Sequence, residues 1–293
     1  MIYDIRHKTT FTYEEVVSVS HHVLHLVPRV HPRQRCLETS LTFEPPQSAD
    51  SEANDYFGNP VHYLTVQQPH ERLVVEARSR VEVFAAEPLN LAVSAPWEAV
   101  LHSLGSPESD VLQAHQFAFD SPYVATSDSV QDYAAQSFPS GRPILEAVMD
   151  LTGRMFREFE YQGGVSDVST PVQDVLEMRK GVCQDFAHLQ IACLRGLGLP
   201  ARYVSGYVLT RPPEGKEKLI GSDASHAWIS VWSGERGWVD FDPTNNLIPS
   251  SEHITVAWGR DYGDVSPING FIVGGGAHQV SVAVDVIPLG SGK

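Results

Sequence analysis

Cys183, His226 and Asp242 are three side-chain types that can do nucleophilic acyl chemistry together, at positions a helix start and a hairpin could bring into contact. Cys183 opens a stretch, to about Gly196, in which Phe186, Leu189, Gln190, Cys193, Leu194 and Leu197 recur at helical spacing. A thiol at a helix N-terminus meets the positive end of the helix dipole and backbone N–H groups that no carbonyl of the helix accepts from. Both favour the thiolate, and the same N–H groups could hold an oxyanion. The competing reading of such a cysteine is a small packed residue. A thiolate nucleophile needs a base. His226 begins the run His226-Ala227-Trp228-Ile229-Ser230-Val231-Trp232, where Ala227, Ile229 and Val231 make an apolar face and His226, Trp228 and Ser230 share the other. Trp238-Val239-Asp240-Phe241-Asp242 follows. If 232 stands opposite 236, Asp242 faces His226 and Asp240 faces Trp228, both on one side of the hairpin. A carboxylate there would fix the imidazole tautomer and support the imidazolium.

Other groups that could do chemistry lack partners. Cys193 sits mid-helix on the inner face and reads as core, and Cys36, among Arg33, Arg35 and Glu38, has no assigned role. Three cysteines without a C-x-x-C pair imply neither a disulfide framework nor a zinc ribbon. His21, His22, His25 and His31 have no cysteine or acid at ligand spacing, and Asp261 and Asp264 lack a calcium-loop pattern. Gly274-Gly275-Gly276 has no lysine and no following helix, so it reads as a turn rather than a phosphate cradle. No metal and no organic cofactor is expected.

The elements that must position these residues follow from periodicity. Residues 1–85 read as β: Val75, Ala77, Ser79, Val81 and Val83 alternate with charged residues, and shorter runs at 2–13, 16–27, 36–43 and 61–67 are separated by turn chemistry. They suggest a small sandwich. Residues 86–108, with Pro88, Pro96, Gly105 and Pro107, read as a linker with one short helix. A catalytic unit of 109–293 would follow. After Pro143, a stripe of Ile144, Leu145, Val148, Leu151, Met155, Phe156 and Phe159 marks a helix. Thr170-Pro171-Val172-Gln173 reads as a capping box opening another helix that stops at Gly181. Strands are expected at 201–209, 226–232, 238–242 and 252–258, then a hairpin pairing 270–273 with 279–287 across the three glycines.

The 293 residues are 42% hydrophobic and 19% charged, an ordinary globular balance for one large or two smaller domains. The net charge of −15 disfavours general nucleic-acid binding and adhesion to anionic membranes. No window reaches the apolar length of a transmembrane helix and the N-terminal residues carry no apolar run, so the expected setting is cytoplasmic.

The chain resembles the transglutaminase-like superfamily. Gly181-Val182-Cys183-Gln184-Asp185-Phe186-Ala187, His226-Ala227-Trp228 and Gly237-Trp238-Val239-Asp240-Phe241-Asp242-Pro243-Thr244 are similar to its three sequence boxes, in the same order. Gly198-Leu199-Pro200-Ala201-Arg202-Tyr203-Val204-Ser205-Gly206-Tyr207 is similar to the strand after the nucleophile helix. Leu24-His25-Leu26-Val27-Pro28-Arg29, Phe57-Gly58-Asn59 and Arg260-Asp261-Tyr262-Gly263-Asp264-Val265 with Pro267 resemble the bacterial branch. The resemblance implies an α+β protein. Its papain-like core packs a thiol-bearing helix on an antiparallel sheet carrying His and Asp, with an N-terminal β-sandwich domain before it. It implies Cys183 as nucleophile, His226 as base and Asp242, in preference to Asp240, as orienting acid. Gln184 stands where animal transglutaminases have Trp, and their upstream oxyanion donor has no clear counterpart here. Tyr161 and Trp228 are the candidates for contact with substrate. A protein or peptide substrate is implied, with an amine or water as acceptor. Transglutamination, deamidation and proteolysis all remain open, as does an idle peptide-binding module that kept the fold.

Overall fold

The structure is a computed structural model that describes residues 1–210 and 225–290. Its β-rich part is one seven-stranded sheet built on β1 (Ile2–Leu24), β2 (Gln34–Glu44), β3 (Ala49–Asn54), β4 (Pro60–Val66) and β5 (His70–Val83). The runs expected at 2–13 and 16–27 are a single long strand with a register irregularity between Thr12 and Val17. β2 pairs β5 and β3 pairs β4, while β5 and β4 pair successive halves of β1. Each row of this sheet is therefore interrupted at one level, by the turn residues of 45–48 and 67–69. Phe11, Tyr13, Val17, Leu24, Leu64, Val66, Leu73 and Val75 share one apolar cluster drawn from both sides of that break. The region expected as a small sandwich is thus one hydrogen-bonded sheet with an apolar cluster of its own.

Five helices follow: α1 (Trp97–Ser103), α2 (Ser109–His115), α3 (Asp128–Ala135), α4 (Ile144–Glu158) and α5 (Val172–Met178). The linker does hold its one short α-helix. In α4 the predicted stripe is buried except for Phe156, which is 49% exposed because it lies about 100° around the helix from Met155. The capping box of α5 does not form. The helix starts one residue late, with Pro171 at its cap, and the Thr170 hydroxyl instead accepts the Asp167 N–H at 2.9 Å. Two short strands, β6 (Glu160–Tyr161) and β7 (Lys180–Gly181), pair in parallel immediately before α6 (Cys183–Gly196). Residues 185–195 of α6 are all buried, so this helix is the centre of the core and not a surface helix with one inner face.

α6 packs on the sheet of β8 (Ala201–Val208), β9 (Ser225–Trp232), β10 (Trp238–Phe241) and β11 (His253–Gly259), in the order β10-β9-β8-β11, all antiparallel. A short α7 (Tyr262–Val265) leads to β12 (Ile268–Gly274) and β13 (His278–Leu289). The expected C-terminal hairpin does not form, and these strands, grouped by the sequence reading with 109–293, lie on the N-terminal sheet. β12 runs antiparallel to Val17–Leu24 and β13 to Ile2–Tyr13, so the chain continues in one direction along β1. Gly274, Gly275 and Gly276 all have positive φ, and a Cβ on Gly274 would stand 2.5 Å from the Val16 carbonyl oxygen. They let the strand bulge past the break in β1 rather than reverse.

Side-chain amides join the two parts. β11 is an edge strand whose outer side would expose unpaired backbone groups. Gln34 accepts the Thr255 N–H at 2.8 Å and donates to the Thr255 and Arg29 carbonyls at 2.7 and 2.8 Å. Asn59 accepts the Trp258 N–H at 3.0 Å and donates to its carbonyl at 2.8 Å. Both amides are fully buried. Replacing Gln34 with Ala strands three buried backbone groups, so Gln34→Ala should lower the unfolding free energy by about 2–4 kcal/mol. Urea titration checks this, and a loss below about 0.5 kcal/mol would mean that water substitutes for the amide.

Candidate active site

The start of α6 is held by its own third residue. The Asp185 carboxylate accepts the Val182 N–H at 2.7 Å and the Ser166 hydroxyl at 2.6 Å. Gly181 permits this approach, since a Cβ there would lie 2.6 Å from Asp185 Oδ2. Upstream, Glu160 and Gln162 donate their N–H groups to the carbonyls of Arg179 and Gly181 at 2.8 and 2.9 Å, which ties residue 161 to the helix entry. Tyr161 is 59% exposed, with its ring edge-on to Phe186, and its phenol is shifted upward by partial burial and then by neighbouring Cys183 and Asp185. Cys183 itself is half-buried, whereas Cys193 is enclosed and burial pushes its thiol up to about 12. Cys36 is shifted up by burial as well.

His226 is the second residue of β9 and is buried. Its Nε2 donates to Asp242 Oδ2 at 2.8 Å, and the Cys183 thiol lies near enough to the same ring to act on its charge. Cys183, His226 and Asp242 are thus brought together. The register behind this differs from the expected one. Trp232 pairs with Trp238, two residues on, because Ser233–Gly237 forms a five-residue loop with a 3₁₀ turn closed by Gly237 N–H to Gly234 O at 2.8 Å. Asp240 therefore faces Ser230 and holds Arg33 at 3.2 Å, while Asp242 lies one residue beyond β10. A slip of two keeps every side chain on its face, which is why Asp242 still points to His226.

Asp242 is 0% exposed. Its Oδ1 accepts the backbone N–H groups of Thr244 and Asn245 at 2.9 and 3.1 Å. Its Oδ2 accepts from His226, from Asn245 Nδ2 at 2.7 Å and from His253 Nε2 at 3.0 Å. Burial alone would raise this carboxyl, but the donors from His226, His253 and Asn245 hold it well below the usual carboxylate range. Burial likewise opposes the His226 cation, and the hydrogen bonds and charges of Asp242 and Cys183 outweigh it, raising the imidazole to about 10.

His253 and Asn245 were not singled out from the sequence. Asn245 sits three residues after Asp242 and could have been found as a turn partner. His253 reaches the site from β11, on the other edge of the sheet, and no local spacing signals that. Trp228 was expected to meet substrate, and the structure corrects this: it is fully buried, lying beneath His226 with ring centroids 6.1 Å apart and edge-on to His253 at 5.2 Å. It fits there because position 206 is glycine, where a Cβ would stand 2.6 Å from the indole and 2.1 Å from the Ile254 carbonyl oxygen.

His226 Nε2, Asp242 Oδ2 and His253 Nε2 lie within 4.8 Å of one another, a donor set that could suit a transition metal. The two nitrogens are already at hydrogen-bond distance from the carboxylate oxygen, so the arrangement reads as a proton network. His21 and His25 go to Thr65 and to Asp55, and Asp261 and Asp264 serve α7 and Arg260. No helix among the described residues is long and apolar enough to cross a membrane.

An antiparallel sheet and a buried helix that together bring a cysteine, a histidine and a buried aspartate into contact define a cysteine-enzyme class. The chain belongs to the transglutaminase-like superfamily: residues 131–243 match the model of that superfamily and residues 3–82 match the bacterial transglutaminase-like N-terminal region. It is 42% identical to uncharacterized protein Rv2569c of Mycobacterium tuberculosis, over 98% of this chain and 93% of that one. Over 80 residues, 27% of this chain and 12% of the other, it is 38% identical to the protein-glutamine gamma-glutamyltransferase of Pseudomonas aeruginosa. Its fold matches the crystal structure of a "putative cysteine protease" from Cytophaga hutchinsonii with a TM-score of 0.77 at 23% identity, covering 100% of this chain and 92% of that one.

Proton-detected histidine NMR should find His226 still cationic at pH 8, losing its proton only near pH 10, while His7 and His188 stay neutral down to about pH 4. A His226 that titrates between pH 6 and 7 would mean the buried carboxylate does not hold its proton.

Proposed function

We propose that the protein is a cysteine-dependent acyl-transfer enzyme acting on carboxamide or peptide bonds of protein or peptide substrates. The observation that carries this reading is the His226 ring set between the Cys183 thiol and the buried Asp242 carboxylate. Cys183 is the nucleophile, His226 the general base and acid, and Asp242 the orienting acid. With Nε2 donating to Asp242, His226 has Nδ1 left for the thiol, so the proton of Cys183 passes to the imidazole. The thiolate attacks the carbonyl carbon and forms a C–S bond. The oxyanion is held by the N–H groups at the start of α6. His226 returns its proton to the leaving nitrogen, the C–N bond breaks, and ammonia or an amine departs from a thioester. His226 then takes a proton from the acceptor. The acceptor attacks the thioester carbonyl, the C–S bond breaks and the Cys183 thiolate is released, a primary amine yielding a new amide and water a carboxylic acid. Tyr161, exposed beside the thiol, lines the approach to it. The likeness to a protein-glutamine gamma-glutamyltransferase supports a glutamine carboxamide as acyl donor.

Glutamine-containing peptides offered with and without a primary amine test the reading. Ammonia release with amine incorporation marks transfer, ammonia alone marks deamidation, and new amino termini mark proteolysis. No reaction in any arm across a broad peptide set would favour an idle binding module and overturn the proposal. Cys183→Ser should abolish whichever reaction is found. Asp242→Asn should lower turnover by about one to three decades, less than in a serine triad because the thiolate–imidazolium pair leans less on the acid. Asp240→Asn should stay within about threefold of wild type, since its carboxylate serves Arg33. Steady-state kinetics of the three variants check the assignment, and an Asp240→Asn loss exceeding that of Asp242→Asn would reverse it.

A further inference from the structure

We propose that His253 is a positioning residue of this site, fixing the Asp242 carboxylate so that His226 presents Nδ1 to the thiol. The inference rests on the cysteine-enzyme reading above and adds a fourth side chain to it.

Asp242 Oδ2 takes three side-chain donors and Oδ1 two backbone donors, which saturates an ionised carboxylate. The donors are not equivalent. The N–H groups of Thr244 and Asn245 and the Asn245 amide belong to the turn of Asp242 itself, closed by Asp242 N–H to Leu247 O at 2.9 Å. They shape the turn but move with it. His226 is the group to be oriented. His253 is the remaining donor, and it comes from β11, three strands from β10 in the sheet. It therefore fixes the carboxylate against the body of the protein.

His253 is suited to that task. It is buried, and its ring is set edge-on, at 86°, against Trp228, which also lies beneath His226. β11 is itself held by the Gln34 and Asn59 amides two and five residues further on. Because an ionised carboxylate only accepts, both histidines that meet Oδ2 must donate from Nε2. The second donor also stabilises Asp242 as an anion, and that charge is what holds the His226 proton. The titratable groups facing His226 are Cys183 from α6, Asp242 beyond β10 and His253 from β11, and the next acid on that sheet face, Asp240, is paired with Arg33.

The test measures iodoacetamide alkylation of Cys183 against pH, with the modified residue mapped by mass spectrometry, in wild type and in His253→Leu, His253→Gln, His253→Asn and His226→Ala. Histidine NMR follows His226 in the same proteins. Glutamine can place an N–H where Nε2 stands, and asparagine is too short. Alkylation at pH 6.5 should fall about tenfold in His253→Leu and His253→Asn, in line with losses at outer-shell partners of functional histidines, and stay within about threefold in His253→Gln. The His226 titration should move downward in the first two. Asparagine keeps polarity at the site, so the Gln–Asn comparison decides the matter even if the leucine variant fails to fold. If His226→Ala slows alkylation but all three His253 variants match wild type in rate and in His226 titration, His253 does not position the acid and the inference is overturned. If His226→Ala leaves alkylation unchanged, the cysteine–histidine pair itself fails, and the inference falls with it.

Discussion

A carboxylate with no exposure to water is the constraint around which the half built on α6 and its sheet is arranged. An ionised side chain cannot be buried unless its lone pairs are met, because the loss of hydration would otherwise drive it to take up a proton. Asp242 is met by five N–H groups from three places in the chain: its own turn, β9 and β11. Each place has to be fixed for the anion to persist. The turn is fixed by its two-way bridge to Leu247, β9 by its place inside the sheet, and β11 by amides that reach it from the N-terminal region. The anion then makes the histidine cationic, which is what a thiol beside it requires.

This chain of dependence explains why the β-rich region stays attached to a compact helix-and-sheet core. Gln34 and Asn59 close the free edge of β11, Arg33 holds Asp240, and the His7 ring meets the Tyr207 hydroxyl at 2.8 Å. Tyr3 and Ile5 from β1, Val81 and Val83 from β5, and Val284 and Val286 from β13 pack in the same apolar cluster as α6. The end of the chain thus stabilises its beginning: β13 pairs with β1, whose buried face lies in the cluster that holds α6. Loss of order in the β-rich region would reach the site through β11 and through the apolar cluster shared with α6.

Much of this was legible in the sequence, and what was not has physical causes. The bounds of α6 could be read because a glycine, a thiol and a run of apolar residues at helical spacing agree. The contact of Asp242 with His226 survived a wrong register because strand periodicity is two and the error was two. The C-terminal hairpin was misread because three glycines can reverse a chain or let a strand bulge, and only the partner strand decides. β3 was missed because its residues, Ala49–Asn54, are small or polar, all exposed on an edge, and show no apolar alternation. Trp228 was misassigned for a related reason. Alternation placed it beside His226, but the emptiness of position 206 across the strand pair is what lets it sink. His253 could not be found by spacing, because its relation to Asp242 exists only once four strands are in order.

The histidines show how much one anion decides. His7 and His188 are as enclosed as His226, and burial alone, the leading cause at each, lowers them to about 4. At His188 Asp261 pulls the other way without prevailing, and Arg195 adds to the lowering. The same enclosure acts on His226, which nevertheless rises to about 10, because Asp242 touches the ring and is itself too well solvated by the protein to take the proton. A surface aspartate at the same distance would be screened and its effect would be modest. Burial, which disfavours the cation, is therefore also what makes the pairing strong enough to restore it, provided the carboxylate is fully hydrogen-bonded first. In this fold the turn after β10 and the histidine of β11 satisfy that proviso, and the histidine beside the thiol takes its charge from them.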